Sequence, residues 1–141
     1  MISSRRNAPC PCGSGRRTKA CCGPILDGSP APTPEALMRS RYTAYATGAV
    51  SHLMRTTSAR SPHRGADARE WRADLEAYCR AVTFEGLTVL GSSVDGDQGR
   101  VQFFARLTAG GRDASFGEDS AFVRVDGAWA YVDGARIDVP G

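Results

Sequence analysis

Four of the chain's five cysteines fall within thirteen positions, reading Cys10-Pro11-Cys12-Gly13-Ser14-Gly15 and then Cys21-Cys22-Gly23. No other feature limits the fold as strongly. Thiols spaced C-x-C-x8-C-C around a Gly-Ser-Gly turn do not describe a hydrophobic core. They describe one tetrahedral metal site closed by four sulfurs, holding a loop too short to fold alone. Two other readings compete. In a disulfide framework, Cys21 and Cys22 could not bridge each other without severe strain, and Cys10 with Cys12 is nearly as awkward. Cross-pairing stays open, although five thiols leave one over. The last reading is a loose tail of free thiols. Residues 1–24 have no apolar h-region, only Arg5, Arg6, Arg16, Arg17 and Lys19 among small polar residues. A cytoplasmic location is therefore expected, and clustered cysteines there are metal ligands or redox groups more often than disulfides. An all-sulfur tetrahedral site suits zinc first and iron second.

A chain of 141 residues, 41% hydrophobic, builds one ordinary globular domain and a small appendage. No apolar run approaches the ~20 residues of a membrane span. The net charge of +3 is mild, but it is unevenly spread. Residues 1–24 carry five bases and no acid, whereas residues 82–141 carry five arginines against nine acids. The expected organisation is a metal module over 1–24, a Pro/Gly-rich linker over 25–33 and an α+β domain over 34–141.

Within that domain, Thr33 reads as an N-cap, Pro34 as the first helical residue and Gly48 as the stop. The helix of about 34–47 places Leu37, Arg41 and Tyr45 on one face, with Met38 and Tyr42 beside it. Residues 51–56 read as a further turn capped by Ser51, with His52 exposed. Residues 57–66 read as a loop containing His63. Asp67 and Glu70 form a capping box for a helix of about 68–81, whose apolar stripe is Trp71, Leu75, Tyr78, Cys79 and Val82. Cys79 on that stripe reads as an inert buried thiol.

The period then changes to two. Leu87-Thr88-Val89-Leu90 is a strand, and Asp95-Gly96-Asp97 turns it. Val101, Phe103, Ala105 and Leu107 alternate with Gln102, Phe104 and Arg106, and Ala109-Gly110-Gly111-Arg112 turns again. Residues 121–125 lead into Asp126-Gly127, a hairpin signal, and then Trp129-Ala130-Tyr131-Val132. Helices first and an antiparallel meander afterwards predict helices packed on one face of a sheet.

The residues Asn7-x-Pro9-Cys10-Pro11-Cys12-Gly13-Ser14-Gly15-x3-Lys19-x-Cys21-Cys22-Gly23 resemble the SEC-C motif, the metal-binding tail of the SecA translocation ATPase. The resemblance implies Cys10, Cys12, Cys21 and Cys22 as ligands. Residues 33–42, Phe103-x-Ala105-Arg106, Ser120-x-Phe122-Val123-Arg124 and Trp129-x-Tyr131-Val132-Asp133-Gly134 resemble the YchJ-like family. That likeness spans nearly the whole chain. It implies a SEC-C module joined to a domain similar to nuclear transport factor 2 (NTF2), a curved cone whose sheet wraps a cavity closed by helices.

Candidate cavity residues are Arg41, Tyr42, Tyr45, Glu118, Ser120 and Tyr131. Arg41 is drawn inward by its face and wants a carboxylate. Glu118, the acid at the matching place of the family signature, is its expected partner. Such a pair reads either as a pocket for an anion or as a structural tie between helix and sheet, and the structural tie is the expectation here. The acid beside it, Asp119, argues for a solvent-facing Glu118. By the same resemblance, many relatives carry Trp-His-Pro where this chain has Thr57-Ser58-Ala59, and some carry His where it has Gly117, so the expected proton-transfer groups are missing. No phosphate-cradling loop is present either, since no strand precedes Gly13-Ser14-Gly15. The expected role is a zinc-binding, non-catalytic adaptor. Its basic knuckle would dock on a protein partner such as a chaperone, a ribosomal surface or a translocation component. The alternatives are a small-molecule-binding or enzymatic cone and a nucleic-acid binder. The cavity is expected to be small or filled by side chains.

Overall fold

A computed structural model describes residues 6–138 of the chain. Arg5, counted above among the basic residues, lies outside them. The helices come first: α1 (Cys22–Leu26), α2 (Pro34–Thr47), α3 (Val50–Arg55) and α4 (Ala68–Ala81). The strands follow: β1 (Val82–Asp95), β2 (Gln98–Ala109), the two-residue β3 (Arg112–Asp113), β4 (Phe116–Val125) and β5 (Ala128–Ile137). They form an open antiparallel sheet in the order β1-β2-β4-β5, with β3 paired to β2. No helix among the described residues is long and apolar enough to cross a membrane.

Helix α2 organises everything else. Thr33 is extended and accepts the Ala36 N–H at 3.0 Å, Pro34 opens the helix, and Gly48 closes it with φ 78°. Leu37, Arg41, Met38 and Tyr42 are buried as their spacing predicts, but so are Ser40, Thr43 and Ala44. The reason is that α2 meets three neighbours. Met38 and Tyr42 face the sheet, Ser40 bonds α3, and Arg39 and Thr43 touch the cysteine loop. A helix packed on three sides shows no clean amphipathic stripe.

Helix α3 departs from the sequence reading. It starts at Val50, its N-cap is Ala49, and no side chain caps it. Ser51 is exposed and accepts from Arg72 of α4 at 3.0 Å. His52 is 2% exposed, not on an open turn, because α3 lies against α2 and turns Val50, His52 and Leu53 inward.

In α4, Asp67 accepts the N–H groups of Arg69 and Glu70, at 2.9 and 3.1 Å. The predicted stripe has the right spacing, yet no α4 residue is fully buried and Tyr78 is 41% exposed. Cys79 is half-buried, and burial pushes its thiol pKa up. The stripe ends at Cys79, because Val82 is already extended. Helix α4 closes the rim of the cone; it is not a core helix. Tyr78 holds it there by packing edge-on against Tyr45 of α2 and Phe84 of β1, with ring centroids 5.7 and 6.1 Å apart.

Strand β1 runs well beyond Leu87–Leu90, because bulges at Phe84/Gly86 and Val89/Gly91 let it curve and continue. Alternation on β2 is as read: Val101, Phe103, Ala105 and Leu107 are all buried. Asp126 and Gly127 both take positive φ, 52° and 79°, as a two-residue hairpin loop of this handedness requires. Gly99 of β2 is needed for a different reason. A side chain there would collide with Pro34, so its absence lets the start of α2 settle on the sheet.

Candidate metal centre and central cavity

The cysteine loop folds by local rules. Cys10 N–H bonds Arg16 O at 2.8 Å, Gly13 N–H bonds Cys10 O at 3.1 Å, and Gly13 and Gly15 take φ of 77° and 86°. A 3₁₀ turn over Thr18–Ala20 then delivers Cys21 and Cys22 to the start of α1. The result brings the Sγ atoms of Cys10, Cys12, Cys21 and Cys22 within 4.8 Å of one another. Cys12–Cys21 is 3.6 Å and Cys21–Cys22 is 3.9 Å. Sulfurs bonded at about 2.3 Å to one tetrahedral ion lie about 3.8 Å apart, so the set fits one metal ion. All five cysteines are free thiols, as such a site requires. Bonds from Cys12 and Cys22 pull Cys10 toward the thiolate, and the bond to Cys10 makes Cys22 hold its proton.

Hydrogen-bond donors surround the sulfurs. Ser14 Oγ lies 3.1 Å from Cys21 Sγ, and Arg16 Nη2 lies 3.8 Å from it. From the domain side, Thr43 Oγ1 lies 3.3 Å from Cys22 Sγ and 3.6 Å from Cys10 Sγ, while Arg39 donates to Cys12 O at 2.9 Å. The sequence reading missed Arg39 and Thr43. A threonine four residues after an arginine, a polar ridge of α2 beside Tyr42, was the available signal.

These contacts fuse module and domain. Cys12 is 0% and Cys22 1% exposed, and both belong to one cluster with Met38, Tyr42, Leu87 and Phe103. The expected boundary at residue 24 falls inside α1, and Ala31 of the expected linker is 5% exposed.

On the other side of α2 the sheet wraps a cavity of about 230 Å³. It is neither closed nor filled. Arg41, Tyr42, Tyr45, Glu118 and Tyr131 all line it, whereas Ser120 sits just behind, donating its hydroxyl to Glu118 Oε2. The expected Arg41–Glu118 ion pair is absent. Arg41 does point inward, at 6% exposure, but its Nη1 donates to Leu53 O, Thr56 Oγ1 and Thr57 Oγ1, at 3.1, 2.9 and 3.2 Å. Its guanidinium stacks 4.7 Å over the Tyr131 ring. Tyr131 separates the two charges, its hydroxyl donating to Glu118 Oε2 at 3.3 Å. Glu118 does not face solvent as its neighbour suggested. Strand alternation turns it into the cone, while Asp119 pairs outside with Arg100 at 3.0 Å. Burial pushes the pKa of Arg41 down and that of Tyr131 up. The Tyr42 hydroxyl is sealed and has no hydrogen-bond partner among the described residues.

The two histidines are placed differently, His63 on the cavity wall and His52 away from it. His63 is exposed at the rim and pairs with Asp133 at 2.8 Å. His52 faces away, between Arg55 Nη2 at 2.8 Å from Nδ1 and Ser40 Oγ at 2.9 Å from Nε2. Arginine can only donate, so Nδ1 accepts and Nε2–H donates to Ser40, whose own hydroxyl donates to Leu37 O at 2.8 Å. Burial first, then Arg55 and Arg41, lowers the His52 pKa to about 4. The unfolded value is near 6.5, so the folded state resists protonation. Stability is full above pH 6.5 and falls as pH drops toward 4, by about 3 kcal/mol. Urea unfolding of wild type and His52→Gln across pH 7 to 4 checks this. The variant should lose less stability over that window, whatever the cysteines contribute in both.

Residues 33–134 match the family described as YchJ, middle NTF2-like domain, and residues 6–24 match the SEC-C motif. A UPF0225 protein of Streptomyces coelicolor is 41% identical over 131 residues, covering 92% of this chain and 97% of its own. A UPF0225 protein of Chromobacterium violaceum is 42% identical over 133 residues, covering 90% and 92%. The solution structure of a SEC-C motif containing protein from Rhodopseudomonas palustris superposes with a TM-score of 0.78 at 36% identity, covering 93% of this chain and all of that one. A crystal structure of a SEC-C motif containing protein from Psychrobacter arcticus gives 0.74 at 22% identity, covering all of this chain and 88% of that one, a likeness of fold.

Proposed function

The chain belongs to the YchJ family of SEC-C-bearing, NTF2-like proteins, and from that premise we propose that it is a zinc-stabilised, non-catalytic adaptor of the cytoplasm whose metal knuckle docks on an acidic protein surface. The observation that carries this is the placement of charge around the cysteines. Arg16, Arg17 and Lys19 are exposed on the outer side of the loop, while Arg39 and Thr43 hold its inner side to the domain. The five bases of residues 1–24 outweigh the net charge of about −2 on a divalent ion with four thiolates. Zinc suits this role because four thiolates close its coordination and leave no position for water, so the ion is structural. A rigid cationic knob on a stable domain attracts an acidic partner and fixes its orientation. The likeness to the SecA tail supports a chaperone, translocation or ribosomal partner. Base stacking is not available to the knuckle, since residues 6–24 contain no aromatic side chain.

The test is affinity capture from a bacterial lysate, comparing wild type with an Arg16→Glu, Arg17→Glu, Lys19→Glu triple variant that still binds one metal per chain. An acidic protein or ribosomal particle held by wild type, released by about 0.3 M salt and missing from the variant is the expected result. Equal retention by the variant would contradict the proposal, as would capture that ribonuclease abolishes for free RNA.

A further inference from the structure

Arg41 occupies a costly position. Its guanidinium is 6% exposed and has no carboxylate within ion-pair distance among the described residues. A buried charge without a counter-ion is expensive, and hydroxyls and a carbonyl compensate only part of that cost. All the hydrogen bonds it makes leave from Nη1. The Nε and Nη2 groups make none of these bonds, the Tyr45 hydroxyl being a further polar neighbour of the guanidinium on the cavity wall, and neither is sealed from accessible space, the one sealed and unpartnered side-chain atom among the described residues being the Tyr42 hydroxyl. The space Arg41 lines is the cavity. The free Nε–Nη2 edge is the pair of parallel donors that fits a carboxylate with two hydrogen bonds.

Glu118 complements it. Ser120 and Tyr131 both donate to Oε2, which leaves Oε1 without a partner among the described residues. Both charges touch Tyr131, the guanidinium over its ring and the carboxylate at its hydroxyl. Their separation is therefore on the order of one aromatic ring. Much of the remaining wall is apolar, with Met38, Leu53, Phe103 and Leu107. The volume of about 230 Å³ is below the roughly 300–1,000 Å³ of pockets for drug-sized ligands. A structural tie alone would not leave opposite charges apart on the wall of one cavity, each with an open edge.

We propose that this cavity binds a small organic carboxylate that carries a hydrogen-bond donor about one ring away from its acid group. The acid lies on the Nε–Nη2 edge of Arg41, the donor on Glu118 Oε1, and the flat apolar body fills the space between. This site shares no residue with the knuckle surface, so either reading can fail alone.

The experiment uses the full metal-loaded chain and the probe 4-hydroxybenzoate. Binding is followed by calorimetry and by the emission of Trp71, which lines the cavity. Benzoate lacks the donor and 4-hydroxybenzyl alcohol lacks the acid. Saturable one-to-one binding of 4-hydroxybenzoate is expected, with each simpler compound weaker by about tenfold or more. Glu118→Gln should bring 4-hydroxybenzoate to the level of benzoate. Ala105→Leu, which adds bulk at a cavity-lining position and leaves the Arg41 and Glu118 side chains unchanged, should abolish binding while a cooperative melt is retained. No saturable signal at millimolar concentration would overturn the proposal. So would equal affinity for the alcohol, or binding indifferent to Ala105→Leu.

Discussion

Removing the metal, by a strong chelator or by Cys22→Ser, is expected to lower the melting temperature of the whole protein by about 10 °C or more. Read as a separate appendage, residues 1–24 could disorder and leave the domain untouched. The packing argues otherwise. Cys12 and Cys22 are fully buried in the same cluster as Met38, Tyr42 and Leu87, and a side chain in place of the Gly13 hydrogen would press on Leu87 O. Melting the loop uncovers that end of the core and frees Arg39 and Thr43. Losing several buried contacts at once costs on the order of 4 kcal/mol, and each kcal/mol moves the midpoint of a domain this size by about 2–4 °C. The far-UV circular dichroism at room temperature should persist, because Leu107, Phe122 and Trp129 are buried by the sheet and its own helices. Calorimetry with and without chelator decides it. An unchanged melting temperature would show that module and domain are independent.

The second large effect concerns Arg41. Arg41→Ala is expected to destabilise by about 3–4 kcal/mol, because it opens a void and leaves Thr56, Thr57 and the Tyr131 ring without their contact. Arg41→Met restores the volume without the charge. It should recover at least half of that loss, since no carboxylate is left unpaired by the change. Denaturant unfolding of the two variants separates the side chain's bulk from its charge. If Met is as damaging as Ala, the guanidinium is held for stability. If Met is nearly neutral, the charge is kept for another purpose.

The parts of this molecule that were legible in the sequence are those decided locally. The cysteine spacing, the Thr33-Pro34 start and Gly48 stop of α2, the Asp67 cap and the Asp126-Gly127 hairpin each depend on a few adjacent residues. The α+β class followed from the change of period, and the NTF2-like cone from the resemblance of residues 33–42 and the strand motifs to the family. What stayed hidden depends on distant neighbours. His52 is buried only because α3 lies on α2, and Tyr78 stays half-open only because a cavity lies beneath α4. Glycine gave a readable hint that was not used: Gly86 and Gly91 interrupt a strand pattern and mark the two bulges that lengthen β1. Arg41 was placed on the right face and given the wrong partner. Its side chain stops at the Thr56 and Thr57 hydroxyls just past α3, and Tyr131 intervenes before Glu118.

The central claim is a single metal ion closed by four sulfurs and built into the core of an NTF2-like domain. X-ray absorption on protein purified under reducing conditions tests it most directly, together with the metal content of the same sample. One zinc per chain with four sulfur neighbours near 2.3 Å, and no nitrogen or oxygen in the shell, is the predicted result. A shell containing an oxygen or nitrogen ligand, or a chain without metal and with two of these cysteines joined in a disulfide, would contradict it.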